Sequence, residues 1–152
     1  MKKYLFPIIT SFLIGTIMAF FLISNYENSE NITISKNART IYYIQKGVYS
    51  SKDSMKKNMN VFTHYIYNIE NNKYYTYIGI TTNKENAIKI KEYWNKQGHE
   101  TYIKEKITDN KSFITILAQY DKILKETQDS GTIMTICNQV LSKYEEMVKN
   151  EY

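Results

Sequence analysis

Two stretches of the chain, residues 47–55 and 79–87, share one pattern of apolar and polar positions at an offset of 32 residues. In each stretch a run rich in β-branched and aromatic residues leads into a glycine, and a hydroxyl residue and an acidic residue then follow at intervals of three. A β-rich run followed by residues that favour the start of a helix is typical of a strand, a turn and a helix. The repeat therefore predicts two similar strand–turn–helix units.

Helix starts and apolar stripes support both units. The spacing predicts capping boxes, in which a hydroxyl caps the first turn and a carboxylate reaches back to it, at Ser50 with Asp53 and at Thr82 with Glu85. Apolar residues then recur at helical spacing, at Met55, Met59 and Phe62 in the first unit and at Ala87, Ile90 and Trp94 in the second. Gly98 predicts the end of the second helix, because glycine favours the backbone conformation found just after a helix.

A second β-rich run follows each predicted helix, at residues 65–69 and 101–104. Asn71 and Asn72 predict a tight turn between the first of these runs and Tyr74. The predicted order is therefore β-α-β-β-α-β, the ferredoxin-like arrangement of one antiparallel sheet with two helices on one face. This is an α+β fold in which the first and third strands are adjacent and central, and the other sheet face is expected to be open.

Helical spacing returns after residue 108 in two apolar stripes, which a short polar connection at 128–131 separates. Two helices joined by so short a loop pack antiparallel, so a helical hairpin is predicted over 111–149. The second stripe is wider than a two-helix contact needs. We therefore expect the hairpin to pack on the sheet domain, on a protein partner or on a second copy of the chain.

Residues 4–23 contain no charged side chain. At about 1.5 Å per residue, a helix of this length spans about 30 Å, the thickness of a bilayer core. Lys2 and Lys3 precede the stretch, so the positive-inside rule places the N-terminus in the cytoplasm. A cleaved signal peptide is the alternative, but this stretch is longer than a signal core and lacks a small-x-small cleavage site.

These patterns divide the chain into four parts. Residues 1–24 are predicted to form a cytoplasmic tip and a single transmembrane helix, and residues 25–40, rich in Asn, Ser and Thr, a flexible tether. The sheet domain follows at 41–107 and the hairpin at 108–152. The predicted location is the cell membrane, with the globular part on the extracytoplasmic side.

The net charge of +5 is concentrated in the predicted sheet domain. Residues 41–107 hold eleven Lys against six acidic residues, whereas residues 108–152 hold five Lys against seven acidic residues. The domain is thus basic and the hairpin acidic, which favours docking of the hairpin within the chain. A basic domain also suits an acidic polymer or an anionic lipid surface.

The sequence around the first predicted strand resembles that of a known domain family. From Tyr42 to Lys52 an aromatic residue and an isoleucine lead to Gln, Gly, an aromatic residue and a Ser-rich helix entry, and this run resembles the opening of the SPOR (sporulation-related repeat) domain family. Residues 74–79 and 84–87 are similar to that family's second repeat. The resemblance covers 41–107, and it departs from the family pattern at Lys46, where an apolar residue is usual, and at residues 80–81.

The resemblance implies a function. SPOR domains bind septal peptidoglycan, with a preference for glycan strands that lack stem peptides, and they often follow a transmembrane helix. We therefore expect a membrane-anchored cell-envelope protein that binds peptidoglycan glycan strands, either at the division septum or in the envelope in general. The alternative is a non-catalytic protein-interaction module of a membrane or envelope complex without glycan binding. An open sheet face favours the first reading, and a face covered by the hairpin favours the second.

The expected glycan site lies on the two central strands. Side chains alternate across a strand, so if Ile44, Thr76 and Ile78 face the helices, their neighbours face outward. These neighbours are Tyr43, Gln45, Tyr75 and Tyr77. Aromatic faces stack on sugar rings, and a Gln amide donates to and accepts from acetamido and hydroxyl groups. Tyrosine is also a good strand former, so the same residues equally suit a half-exposed sheet without a ligand.

Other classes of site find little support in the sequence. His64 and His99 lack metal-ligand spacing, and neither a nucleophile motif nor a phosphate-binding loop is present, so no enzyme activity, cofactor or metal is predicted. Cys137 is the single cysteine, which excludes an intramolecular disulfide. An RNA-recognition domain has the same topology, but its aromatic and glycine spacing is missing, so nucleic acid is not an expected partner.

Overall fold

The computed structural model describes residues 38–150, in which four strands and four helices follow one another. They are β1 (Arg39–Tyr49), α1 (Lys52–Met59), β2 (Ile66–Glu70), β3 (Lys73–Thr81), α2 (Lys84–Lys96), β4 (Tyr102–Thr108), α3 (Lys111–Glu126) and α4 (Ser130–Asn150). The fold class is therefore α+β, as predicted. β1 begins within the last residues of the predicted tether.

The predicted membrane helix at 1–24 and residues 25–37 of the tether lie outside the described residues. Within residues 38–150, no helix is both long enough and apolar enough to cross a membrane.

The strands form one antiparallel sheet in the order β4-β1-β3-β2. The first and third strands are central and adjacent, and the elements up to β4 follow the predicted chain order. The turn between β2 and β3 consists of Asn71 and Asn72, with φ angles of 50° and 58°. Asparagine tolerates this left-handed conformation, which matches the twist of a two-residue hairpin.

The first helix is capped one residue later than its spacing predicted. Ser51, rather than Ser50, accepts a hydrogen bond at 3.2 Å from the backbone N–H of Ser54. The end of α2 is as predicted, because Gly98 follows it with a φ of 82°.

α1 and α2 cover one face of the sheet with the predicted apolar stripes, and Met55, Met59, Ala87 and Ile90 are fully buried. Gly79 on β3 lies close to both α2 and α4. A Cβ there would lie 3.3 Å from the Ile90 side chain of α2 and 3.4 Å from Cys137 Sγ of α4. A methyl group at this position would therefore require the Ile90 side chain to move by a few tenths of an ångström.

The hairpin of α3 and α4 packs on the part of β3 that β2 does not reach. β2 pairs with β3 only over residues 73–77, so residues 78–81 have no strand on that side in the described chain. α4 fills this gap, where Cys137 approaches Gly79. The wide apolar stripe of α4 is thereby covered within the chain, with Ile133, Ile136, Cys137, Val140 and Leu141 buried.

A carboxylate on α3 fastens the hairpin to the start of α2. Asp121 is buried, and it accepts hydrogen bonds from the hydroxyls of Thr81 and Thr82, from the Thr82 backbone N–H at 2.9 Å, and from the Asn86 side chain at 3.2 Å. Thr82 was the predicted cap of α2, but Asn83 is the actual one, accepting from the N–H of Asn86. The predicted cap is instead part of this tertiary clamp.

A second polar contact holds the C-terminal end of α3. The ammonium of Lys89 on α2 donates to the backbone carbonyls of Leu124 at 2.7 Å and of Thr127 at 3.0 Å. A cation near the last carbonyls of a helix also interacts favourably with the helix dipole. The sheet domain and the hairpin therefore form a single compact unit rather than two.

Candidate functional site

Three of the four residues predicted to bind glycan are buried. The exposed fraction is 7% for Tyr43, 6% for Gln45 and 2% for Tyr77, while Tyr75, nearer the β2–β3 turn, is half-buried. The expectation of an open sheet face is therefore wrong. Strand alternation determines the face of each residue but not its accessibility, because other parts of the chain cover this face.

An aromatic cluster forms the centre of this face. The Tyr43 ring meets the Tyr77 ring edge-on, with centroids 5.3 Å apart, and it meets the Tyr144 ring of α4 at 6.3 Å. Phe113, at the start of α3, lies 5.4 Å from Tyr144, so the start of α3 is next to the end of α4. The helices of the hairpin are thus antiparallel, and the last turns of α4 lie over the two central strands.

Burial changes the acidity of the two sheet tyrosines. A phenolate in this cluster would lose its hydration, so burial raises the pKa of Tyr77 to about 12 and holds the pKa of Tyr43 well above its ordinary value. Charge repulsion with Tyr144 adds to the increase in the pKa of Tyr43. Both hydroxyls are therefore protonated at physiological pH.

A lysine side chain also covers the cluster. The ammonium of Lys106 on β4 lies 5.5 Å from the ring centroids of both Tyr43 and Tyr77. It also lies 3.5 Å from a carboxylate oxygen of Glu70 on β2, so this side chain spans the face between the two sheet edges. Its stem shields the rings while its charged end stays partly in water, as is common for lysine. Cation–π contacts of this kind contribute about 0.5–1 kcal/mol.

The Gln45 side chain lies on the same sheet face as the aromatic cluster, and its amide oxygen lacks a hydrogen-bond partner among the described residues. The register of β1 against β3 shifts on both sides of it, between Tyr43 and Gln45 and between Gln45 and Gly47. Its side-chain Oε1 is buried and accepts no hydrogen bond from residues 38–150. An unsatisfied buried amide costs about 1–3 kcal/mol. The residue therefore lowers stability in this arrangement.

The accessible part of this face lies at its end near the β2–β3 turn. In the strand register Val48 lies opposite Tyr75, which in turn lies opposite Asn68. Val48 is exposed, and the other two are half-buried. Tyr102 on β4 is also exposed, with its hydroxyl donating to Glu100 at 2.7 Å. Tyr75 on β3 and Tyr102 on β4 therefore lie on opposite sides of β1.

Two clefts flank the last turns of α4. One, of about 220 Å³, lies between the sheet and the start of α3, with Ile41 and Lys106 in its walls. The other, of about 200 Å³, lies between α4 and β2, with Ile66 in its wall. Tyr144 and Val148 line both clefts. The distal part of α4 therefore touches the sheet along a narrow ridge, whereas the apolar side of its proximal part is buried.

Groups with catalytic potential are dispersed. His64 Nε2 lies 3.5 Å from a carboxylate oxygen of Glu145, a contact that joins the loop after α1 to α4. His99 packs on Phe62, with ring centroids 4.8 Å apart. Burial raises the pKa of the Cys137 thiol to about 12, which keeps it from acting as a thiolate. Across residues 38–150, no three His, Cys, Asp or Glu side chains are grouped to hold a metal ion.

Sequence reasoning missed Tyr144, Lys106 and Asp121. Tyr144 was indistinguishable from its neighbours in an apolar stripe, and the long reach of Lys106 across the sheet has no local signature. Asp121 did leave a signal, because it lies on the apolar stripe of α3 at helical spacing between Leu117 and Leu124. An acid at such a position must find hydrogen-bond donors when it is buried.

Comparisons with known proteins give no family assignment. No protein-family model matches the chain, and neither the curated proteins nor the solved structures contain a significant match.

Proposed function

We propose that this chain is a membrane-anchored, non-catalytic protein-interaction module of the cell envelope. Residues 1–24 anchor it with the N-terminus in the cytoplasm, and the unit formed by residues 38–150 is displayed on the extracytoplasmic side. Its sheet domain is SPOR-like and ferredoxin-like, and the hairpin is an addition to that domain. The partner is a protein of the same membrane or envelope.

The chain order and the sheet order support the SPOR-like reading. Both agree with a ferredoxin-like arrangement, with β1 and β3 in the centre. The departure at Lys46 is accommodated at the register shift between Gln45 and Gly47, and its ammonium reaches the carbonyl of Glu100 at 3.4 Å. A charged residue therefore fits at a position where the family usually has an apolar one.

The covered sheet face is the observation that carries the proposal. A glycan that stacks on tyrosines needs ring faces open to solvent, but Tyr43 and Tyr77 lie beneath Lys106 and Tyr144. The face works as an internal docking surface for the hairpin. Binding to other molecules then falls on the outer surfaces of the unit, where Ile69, Ile107 and Ile123 are exposed apolar side chains.

Co-sedimentation with sacculi tests this proposal against glycan binding. The full-length protein, purified in mild detergent, is mixed with untreated and with amidase-treated sacculi and then centrifuged. We expect it to stay in the supernatant in both cases. Specific pelleting with the amidase-treated sacculi, and not with untreated ones, would contradict the proposal.

Photo-crosslinking in the producing cells tests the partner directly. A photoreactive amino acid is placed at Ile69 or at Ile123, which are exposed apolar positions on β2 and α3. We expect light-dependent adducts of discrete mass from at least one position. The absence of adducts from both would argue against a protein partner.

Glycan binding by an opened form is the second candidate function. Two observations favour it: Gln45 Oε1 has no partner, and the distal part of α4 rests on a narrow ridge at Tyr144. If this ridge lifted, Tyr43 and Tyr77 would become the stacking platform expected from the sequence. Tyr144→Ala should then increase pelleting with amidase-treated sacculi, and adding Gln45→Leu should abolish the increase.

A further inference from the structure

The outer edge of β2 has backbone groups without strand partners. β2 is the last strand on its side of the sheet, in the part of the chain that the structure describes. Residues that flank a two-residue hairpin turn form a hydrogen-bonded pair, which here is Glu70 with Lys73. Alternation then directs the backbone groups of Asn68 towards β3 and those of Tyr67 and Ile69 outward.

The two edge strands differ in how they are protected. β4 carries Lys104, Glu105 and Lys106 in succession, and charges on an edge strand hinder pairing with other chains. β2 carries no charge before Glu70, contains no proline, and pairs with β3 without a register shift. The side chains of Tyr67 and Ile69 are exposed beside this edge. β2 is therefore the edge that is suited to accept another strand.

The surroundings of β2 leave room for such a strand. A cleft of about 200 Å³ separates Ile66, Tyr67 and Asn68 of β2 from the last turns of α4. The Tyr67 ring packs on Tyr74, with ring centroids 5.9 Å apart, and Tyr67 also lines this cleft. The Asn68 amide, oriented to suit its neighbours, donates to the Tyr67 carbonyl, which is a local bond that an incoming strand can replace.

We propose that β2 pairs antiparallel with β2 of a second copy of this chain, about a two-fold axis at Asn68. The outward backbone N–H and C=O groups of Tyr67 in one copy must then pair with those of Ile69 in the other copy. The groups of Ile69 in the first copy likewise pair with those of Tyr67 in the second, and this pairing fixes the register. Each Tyr67 lies beside an Ile69, a favourable aromatic and β-branched cross-strand pair. Asn68 meets its own counterpart, and no like charges oppose each other. The same patch is used by both copies, as two-fold symmetry requires.

This inference rests on the proposed function and names its partner as a second copy. A five-residue strand pair buries less than the roughly 1,200 Å² of a standard stable interface, so the dimer is weak in dilute solution. Two copies anchored in one membrane meet at a raised effective concentration. The pairing is therefore expected in the membrane and not in the diluted, detergent-purified protein.

Disulfide formation between introduced cysteines tests the proposed register of the two β2 strands. In the proposed pairing the two Asn68 residues form a non-hydrogen-bonded pair with Cα atoms about 4.5 Å apart, which suits a disulfide. Glu70 of one copy lies opposite Ile66 of the other, so the two Glu70 residues are four positions apart along the strands, which is roughly 13 Å. Full-length Asn68→Cys and Glu70→Cys variants are made in cells, and isolated membranes are treated with a mild oxidant. The native Cys137 is buried, and the unmodified chain gives the background.

We expect at least tenfold more disulfide-linked dimer from Asn68→Cys than from Glu70→Cys. Adding Ile69→Lys should reduce the dimer several-fold, whereas Ile107→Lys on β4 should not. These two isoleucines make a matched pair, because both lie on edge strands and are 59% and 58% exposed. Equal yields from the two cysteine variants, no dimer, or a disulfide adduct of another mass would overturn the proposal. Recovery of the protein outside the membrane fraction would instead refute the proposed anchor.

Discussion

The two faces of the sheet are covered in different ways. One face is covered by α1 and α2, whose buried side chains are mostly aliphatic and come from the repeat units themselves. The other face is covered by Lys106 and by the last turns of α4, and it carries tyrosines and a polar glutamine. The comparison shows that strand alternation decides which face a residue occupies, whereas elements distant in sequence decide whether that face is accessible.

The largest effect should come from the helix that covers the gap beside β3. Leu141 is fully buried on α4, so Leu141→Ala should lower the free energy of unfolding by about 3 kcal/mol or more, through lost burial and a cavity. Denaturant unfolding followed by the fluorescence of Trp94 on α2 measures this change. Lys143→Ala, on the exposed side of α4, is the control. If the Trp94 transition did not move, the hairpin would be a separate folding unit.

A slightly smaller effect is expected at the polar clamp. Asp121→Ala leaves the hydroxyls of Thr81 and Thr82 and the amide of Asn86 without their acceptor, at a cost of about 2–3 kcal/mol. The neighbouring exposed Lys122→Ala should change little. Thermal unfolding compares the two variants, and equal melting temperatures would mean that the clamp does not couple the hairpin to α2.

The aromatic cluster should make stability sensitive to alkaline pH. The pKa of Tyr77 rises from 10.0 to about 12 on folding, so its contribution is complete below pH 10 and is lost as the pH rises towards 12. The loss over this interval is about 2 kcal/mol. Tyr77→Phe should flatten the decline, measured as the free energy of unfolding against pH. An unchanged slope would show that the ring is more hydrated than its position indicates.

The smallest effect on stability is expected at Gln45, and it bears on the choice between the two candidate functions. Gln45→Leu removes a buried amide oxygen without a partner, so stability should rise by up to about 1 kcal/mol. Gln119→Leu, on the exposed side of α3, is the matched control and should have no effect. A gain in stability at Gln45 together with unchanged binding to partner proteins fits a closed interaction module. A loss of stability would show that the glutamine has a partner in the folded protein.

Local signals in the sequence were sufficient for the repeat units. The stripe with Met55 and Met59, the turn at Asn71 and the stop at Gly98 all involve residues within a few positions of one another, and the structure confirms each. The predicted helix starts were wrong by one residue, because two neighbouring residues with cap-forming oxygens compete for each cap, Ser50 with Ser51 and Thr82 with Asn83.

The covered face could not be predicted in the same way. Lys106 reaches Glu70 across the sheet, and Tyr144 reaches Tyr43 over about 100 residues of chain. Such contacts depend on sheet twist and on where the hairpin docks, which no local period encodes. The width of the apolar stripe on α4 did show that something must cover it, but not what.

The gap beside β3 has a consequence for how the chain matures. α4 is translated after every strand and helix that it packs against. Until it emerges, the tyrosines of the sheet and the 78–81 edge of β3 remain uncovered, and exposed aromatic surface with an unpaired edge favours aggregation. The sheet domain therefore completes its core late, and a nascent chain stalled before residue 130 should depend on chaperones more than the finished chain does.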